Sequence, residues 1–386
     1  MARPRGIAYP ALILGPLILA ALAVTRVART DPGRTHTYYI AADEVLWDYA
    51  PSGRDQITGQ PFDAVARQFA EPGRGSIGHV ARKSLYREYT DSTFKTLKPR
   101  PADLEYLGFL GPLLRASVGD TLRIVFKNQT RFPASVHPHG VFYNKDSEGA
   151  PYADGSSGAD KADDGVPPGG THLYVWPVPE RAGPTEHEGN SAFWMYHSHV
   201  HETADVNAGL TGAMIITRRG GARADGTPSD TDREIVIAFA EVDENESPYL
   251  MENLKAYAKQ PDSVKVDTVF GATQVRQYGQ YNFKETLNGY FYGNLPMPTM
   301  RVGERTRWYI MASTNFEMHA PHWHGNVVEL HRMRTDVASI TPMEMVVADM
   351  VPDNPGVWLF HCHLGSHLLM GMQGRYEVKP EVVAAK

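Results

Sequence analysis

Residues 358–372 read WLFHCHLGSHLLMGM, and the rest of the chain is read outward from this stretch. It holds the only cysteine, Cys362, between His361 and His363, with His367 and Met372 just downstream. Successive side chains on a strand point to opposite faces, so His361 and His363 share one face and Cys362 takes the other. A thiolate, two imidazoles and a weak axial thioether make a blue-copper electron-transfer site. Cys362, His367 and Met372 supply three of those four ligands. The flanking histidines would then serve a second metal centre behind the thiolate, a few covalent bonds away. Taken alone, Cys362 also reads as a small core residue, and Met372 as ordinary packing, though less readily than as ligands.

The other histidines separate these readings. Four His-x-His pairs occur, His137/His139, His197/His199, His322/His324 and His361/His363. Chance alone gives about one such pair or fewer at this histidine content. Strand alternation turns both rings of a pair to one face, as gripping a metal requires. Any single pair is also compatible with a zinc site or with surface imidazoles. Together, eight histidines exceed what one copper needs and suit a cluster of several, able to hold O₂ and deliver four electrons to it. His319 is left over, and it completes the blue site with Cys362, His367 and Met372.

A chain of 386 residues can bury a large core and divide into two domains. The net charge of −6, without a basic run, argues against nucleic acid as a partner. Residues 1–24 combine a basic start (Arg3, Arg5), an apolar run from Gly6 to Val24 and an Ala21-Leu22-Ala23 cleavage signature. That pattern is a signal peptide or, on the alternative reading, a membrane anchor, and either places the body outside the cytosol. One cysteine excludes an intramolecular disulfide framework, and copper ligation explains an unpaired thiol in an exported protein.

Short, β-branched, alternating runs bounded by Gly, Pro and Asp predict strands from His36 onward. These fall near 36–49, 113–118, 121–126, 172–176, 193–199 and 212–217. A second set is expected near 234–239, 303–310, 322–330, 346–351 and 357–363. Residues 144–170 read as a long loop, 218–232 as a domain boundary and 247–259 as one short helix. The two halves echo each other. Each has a His-x-His-Gly segment and, downstream, a Trp-x-x-His-x-His segment, with Ser198 in the first half where Cys362 stands in the second. The expected architecture is all-β, two tandem sandwiches at 35–222 and 230–380 behind a leader and linker at 1–34.

These segments, in this order and spacing, resemble the four copper-binding segments of the multicopper oxidases, the family of laccases, ascorbate oxidase and ceruloplasmin. The resemblance implies two cupredoxin-like Greek-key domains and four coppers. It gives His137 and His322 to a type 2 copper. His139, His197, His199, His324, His361 and His363 fall to a type 3 pair. Type 1 copper takes His319, Cys362, His367 and Met372. Outside the ligands, residues 86–94 (YREYTDSTF), 107–112 (LGFLGP), 178–184 (VPERAGP) and 287–294 (LNGYFYGN) are similar to ceruloplasmin repeats. The likeness covers about 36–380. Type 1 copper in the second domain alone also resembles the small two-domain laccases. That implies a homotrimer, with the trinuclear cluster between domain 1 of one subunit and domain 2 of the next; a monomer that joins its own two domains is the alternative.

The activity so implied is oxidation of a small reductant at type 1 copper. Electrons then pass through Cys362 to His361 and His363, and O₂ is reduced to water. Glu148, nine residues after His139, is a proton donor by this reading, and Tyr143 a tyrosine beside the cluster. His201 shares the face of His197 and His199 but matches no family ligand. Ser366 stands where ceruloplasmin has an acid, and Glu285 and Gln280 fall near that protein's iron-site His and Glu. Glu317 and Glu344 could rebuild a metal site, and Met343 with Met345 could bind Cu(I) or simply pack. The expected reductants are phenols or low-potential metal ions. The alternatives are a ceruloplasmin-like ferroxidase, a copper nitrite reductase or a non-catalytic copper-binding module.

Overall fold

A computed structural model describes residues 33–261, 279–314 and 317–381, with the backbone alone at 266–269 and 272–275. The apolar run at 6–24 lies outside the described residues. Among those described, no helix is long and apolar enough to cross a membrane.

The first half builds β1 (Thr35–Asp48), α1 (Ala66–Ala70), β2 (Val80–Tyr89), β3 (Leu114–Ser117), β4 (Thr121–Asn128) and β5 (His137–Pro138). It continues with β6 (Thr171–Pro177), β7 (Ser191–His197), α2 (Glu202–Ala208) and β8 (Thr211–Thr217). Its two sheets run β2-β1-β4-β6 and β3-β8-β7-β5. Their facing sides close on Phe126, Tyr174, Trp176 and Tyr196, all fully buried.

The second half opens with β9 (Arg233–Asp243), α3 (Leu250–Tyr257), a β10–β11 hairpin (Val266–Val269, Ala272–Val275), β12 (Phe283–Leu287) and β13 (Thr299–Arg301). β14 (Thr306–Ala312), β15 (Pro321–Trp323), β16 (Val328–Leu330) and β17 (Met333–Thr335) follow. β18 (Met345–Met350), β19 (Gly356–Cys362), α4 (Gly365–Leu369) and β20 (Gln373–Lys379) complete it. Its sheets run β12-β9-β14-β18-β16-β17 and β13-β20-β19-β15.

The orders β2-β1-β4-β6 and β12-β9-β14-β18 correspond strand for strand, as do β3-β8-β7-β5 and β13-β20-β19-β15. Even the parallel pairs repeat, β1 with β4 against β9 with β14, and β3 with β8 against β13 with β20. The internal repeat read from the histidines is therefore a repeat of topology. Among the described residues no strand of one half pairs with a strand of the other.

From Gly33 the chain forms one compact unit. The cluster around Trp308, Trp323 and Phe360 continues across to Tyr49, Phe62 and Phe109 of the first half. Polar contacts fix the register of that junction. Lys83 Nζ lies 2.7 Å from Glu244 Oε1, both fully buried, and Ser191 Oγ lies 2.7 Å from Tyr309 OH.

Several sequence expectations need correcting. The single strand expected at 322–330 is two strands, β15 and β16, in different sheets, because Gly325 turns the chain at φ +72°. The punctuated region before residue 100 contains β2 and α1, and α2 and α4 were not foreseen. The helix expected within 247–259 is α3.

Candidate metal centres

Strand pairing builds the histidine sites. β5 runs antiparallel to β7 with His137 opposite His197, and β15 to β19 with His322 opposite His361. Each pairing unites two His-x-His segments that are distant in sequence. A glycine after the first segment makes the approach possible. Gly140 and Gly325 hold φ +77° and +72°, and a Cβ on either would fall 2.3 Å from the ring of Trp194 or Trp358. Those tryptophans are the first residues of the Trp-x-x-His-x-His segments, so the two motifs interlock through an indole lying on a glycine.

The first quartet is tight. The His137 ring lies 5.6, 5.6 and 5.2 Å from those of His139, His197 and His199. His139 Nε2 and His197 Nε2 are 3.1 Å apart. The second quartet matches it, with His322 at 4.6, 5.2 and 5.0 Å from His324, His361 and His363. His324 Nε2 and His361 Nε2 are also 3.1 Å apart. Nitrogens so close need a proton or a cation between them.

Backbone carbonyls select the tautomers. Nδ1 of His137, His197, His322 and His361 lies 2.6–3.1 Å from the carbonyls of Glu148, Ser198, Asp336 and Cys362. A carbonyl only accepts, so each Nδ1 carries the hydrogen and each Nε2 lone pair is free for a metal. Burial, then the neighbouring imidazoles, lowers His139 to about 4 and His197 to about 3, which keeps both in the neutral ligand form at neutral pH.

The thiolate site lies behind the second quartet, as alternation along β19 requires. His319 Nδ1 and His367 Nδ1 are 3.2 Å apart, and Cys362 Sγ is 3.6 Å from His367 Nδ1. All three residues are buried, and so is Met372. Cys362 N–H donates to the Met372 carbonyl and Met372 N–H to the His367 carbonyl, which brings Met372 alongside the other three. Sγ accepts the Ala320 N–H at 3.3 Å. Burial raises the thiol and lowers His319 to about 3. Three converging soft or borderline donors, a thiol and two imidazole Nδ1 atoms turned toward one another, fit copper.

A third cluster adjoins His367. β9 and β12 pair with Glu241 directly opposite Glu285. Glu317 Oε2 accepts from His367 Nε2 at 2.9 Å, and Glu285 Oε2 is 3.7 Å from His367 Nδ1. The three carboxylates share a cavity of about 250 Å³ with Ser366, Gln280 and Met370. Burial, then the charge of Glu317, raises Glu241 to about 8; burial, then Glu241, holds Glu285 well above the usual range. Their Oε2 atoms have no hydrogen-bond partner. Like charges directly opposite in a sheet are unfavourable, so protons or a cation must lie between them.

Glu317 and Glu285 thus stand where the sequence raised a metal site, and Glu241 joins them unforeseen. Its signal was weak: an acid near the end of a buried strand, whose pairing with β12 no single motif reveals. Glu344 takes no part, because its carboxylate accepts from Thr341 N and Oγ1 at 2.8 and 2.9 Å. Met343 and Met345 pack against the core. Tyr143 stacks edge-on to His137 at 5.7 Å. Glu148 gives its carbonyl to His137, while its carboxylate pairs with Lys145 Nζ at 2.5 Å and accepts from Tyr152 OH at 3.0 Å. His201 is exposed at the start of α2.

Residues 107–221 and 259–382 each match the multicopper oxidases, together more than half of the sequence. The chain belongs to that family. Ferroxidase HEPHL1 of Homo sapiens is 44% identical to it over 349 residues, which is 89% of this chain and 29% of that protein. Hephaestin of Homo sapiens is 42% identical over 353 residues (90% and 30%), and ceruloplasmin of Homo sapiens 36% identical over 348 (89% and 30%). The chain spans less than a third of the length of these relatives. A solved multicopper oxidase structure, 17% identical, shares the fold at a TM-score of 0.54, covering 90% of this chain and 94% of that one.

Proposed function

We propose that this is an exported, copper-dependent oxidase whose reductant is a low-potential divalent metal ion, Fe(II) first, and whose acceptor is O₂. The observation that carries the choice of reductant is the carboxylate group formed by Glu241, Glu285 and Glu317 against His367. Oxygen donors suit hard cations. Glu317 already covers the Nε2 edge of His367 that a phenol would approach. Two relatives carry ferroxidase in their names, in agreement with this choice.

Four coppers per functional unit are assigned. His319, Cys362, His367 and Met372 hold one, His137 and His322 a second, and the remaining six histidines a pair. Bound there, copper would supply one-electron oxidation at the first site and O₂ reduction at the others. The chain's own contribution is placement. Cys362 is bonded on either side to His361 and His363, and its carbonyl accepts from His361 Nδ1 at 2.8 Å, a path of a few bonds between the sites. Tyr143 lies against His137 as a near neighbour of the cluster. Glu148 is assigned to proton supply in concert with Lys145 and Tyr152. In Glu148→Gln, the O₂-dependent half-reaction should slow several-fold in stopped flow, with reduction by Fe(II) unchanged.

Assembly follows from the open quartets. Among the described residues no hydrogen bond or ring contact joins the first quartet to the second. Each offers four of the eight histidines. A head-to-tail contact that closes into a ring would satisfy every copy, and a homotrimer is the assigned state. Phe142 and Val327, each three residues past a quartet histidine, are 47% and 54% exposed. They would be covered by that contact.

The deciding experiment compares steady-state kcat/KM for Fe(II) and for a substituted phenol in wild type, Glu241→Gln and Glu285→Gln. A strong Fe(II) preference that collapses in both variants, with the phenol rate retained, supports the reading. A phenol preference in wild type would overturn it in favour of a laccase.

A further inference from the structure

The loop that carries Met372 is held by a tyrosine that is itself held by the other half of the chain. Tyr292 lies in the 287–294 segment and adopts φ 49°, in the left-handed region that a tyrosine rarely takes. Its backbone N–H donates to the Gly371 carbonyl at 2.8 Å, and its hydroxyl to the Leu369 carbonyl at 3.2 Å. Its ring lies on Gly371, which takes φ +107°, and a Cβ there would fall 2.9 Å from two ring carbons. Leu369 ends α4, which carries His367, and Gly371 immediately precedes Met372. One side chain therefore spans the turn between two of the four ligands of the thiolate site.

The opposite side of Tyr292 faces the first half. The Phe62 ring packs edge-on at 5.6 Å, and Gln56 N–H donates to the Tyr292 carbonyl at 2.9 Å. Next to it, Gly293 approaches so closely that a Cβ would meet Ile57, and Asn294 Oδ1 accepts from Ser52 Oγ at 2.6 Å. The strained backbone of Tyr292 is thus determined from both sides.

We propose that Tyr292 is a positioning residue that sets the approach of the Met372 sulfur to the type 1 copper, and that residues 52–62 of the first half act on the reduction potential through it. The proposal rests on the assignment of Met372 as axial ligand made above. The axial ligand tunes the potential of a blue-copper site, and a thioether held less firmly donates less and stabilises the oxidised ion less. Loosening the turn should therefore raise the potential without touching a ligand.

The test uses the copper-loaded full chain, read by redox titration of the visible band and by paramagnetic resonance. Tyr292→Leu should shift the type 1 potential upward and alter the type 1 signal, with the type 2 signal unchanged. Phe62→Leu, in the other half, should give a smaller shift of the same sign. Added to Met372→Leu, Tyr292→Leu should shift nothing further, since the two act on one bond. A wild-type potential and spectrum in Tyr292→Leu would overturn the proposal, as would a shift that persists in full on the Met372→Leu background. If Met372→Leu is itself silent, the axial assignment fails and takes this proposal with it. Should Tyr292→Leu not fold, Tyr292→Phe, which removes only the bond to Leu369, and Phe62→Leu carry the same comparison.

Discussion

Glu241→Gln is expected to stabilise the metal-free protein at neutral pH while crippling oxidation of Fe(II). Glu241 is buried opposite Glu285, and its carboxyl is raised from an ordinary 4.5 to about 8. A raised value in the folded state means that the favourable contribution is complete below about 4.5 and is lost as pH climbs to about 8. Holding that proton against pH 7 costs roughly 3 kcal/mol, at about 1.4 kcal/mol for each pH unit between 4.5 and 7. Glutamine removes the ionisation but leaves a buried amide, at a cost of about 1–2 kcal/mol. The net gain at pH 7 is then about 1–2 kcal/mol, or a few degrees in Tm. At pH 5 the carboxylate cost is nearly gone, and the variant should melt with or below the wild type. Calorimetry of metal-free protein at the two pH values reads the crossing. A redox-inert hard divalent ion such as Mg(II), which favours carboxylates over imidazoles, should at about a hundred times its Kd add roughly 3 kcal/mol to the wild type and much less to the variant. A variant less stable than wild type at both pH values, or one with undiminished kcat/KM for Fe(II), would refute the reasoning.

Cys362→Ser should lose the intense visible band and about one copper per chain, with turnover at background, while the histidine quartets keep their metal; absorbance and metal analysis check this. If the proposed assembly forms, Phe142→Asp with Val327→Asp should dissociate it, visible by light scattering, and remove the type 2 and type 3 signals while the type 1 band survives, because all four residues assigned to type 1 copper lie in one half. Lys83→Met leaves the Glu244 carboxylate buried without its cation and should cost about 3–5 kcal/mol in thermal unfolding, most of it recovered by adding Glu244→Leu.

What the sequence revealed and what it hid follow the range of its signals. The quartets were legible because a period of two is local: it needs only neighbouring residues to set two rings on one face. The ligand sets of the two halves could be matched because glycine and tryptophan mark the same places in both. The short helices were not legible, since the five residues of α4 and the seven of α2 make barely one or two turns and show no helical period. β2 was hidden by its own chemistry. Lys83 reads as a surface residue, yet it is 1% exposed and paired with Glu244. The carboxylate cluster was half legible, because Glu285 and Glu317 lie close to recognisable motifs whereas Glu241 arrives through the register of β9 against β12.

The repeat also shows why one half holds a thiolate site and the other does not. Cys362 Sγ accepts the N–H of Ala320, two residues before His322, and Ser198 Oγ accepts the N–H of Ser135, two residues before His137. The two side chains therefore occupy one structural position. His319 bridges to Ile340 in the second half, and Ala134 bridges to Val166 at the matching place in the first. Exchange of an imidazole for a methyl group and of a thiol for a hydroxyl removes two donors at once. What remains is closed by a hydrogen bond, since Ser198 Oγ donates to the buried Asp205 at 2.6 Å. That same carboxylate accepts the N–H of His201 at 3.0 Å, which ties down the segment just after His199. The position that carries the thiol in one half serves in the other to hold quartet residues in place, so the difference between the halves lies in their packing and not in the number of histidines.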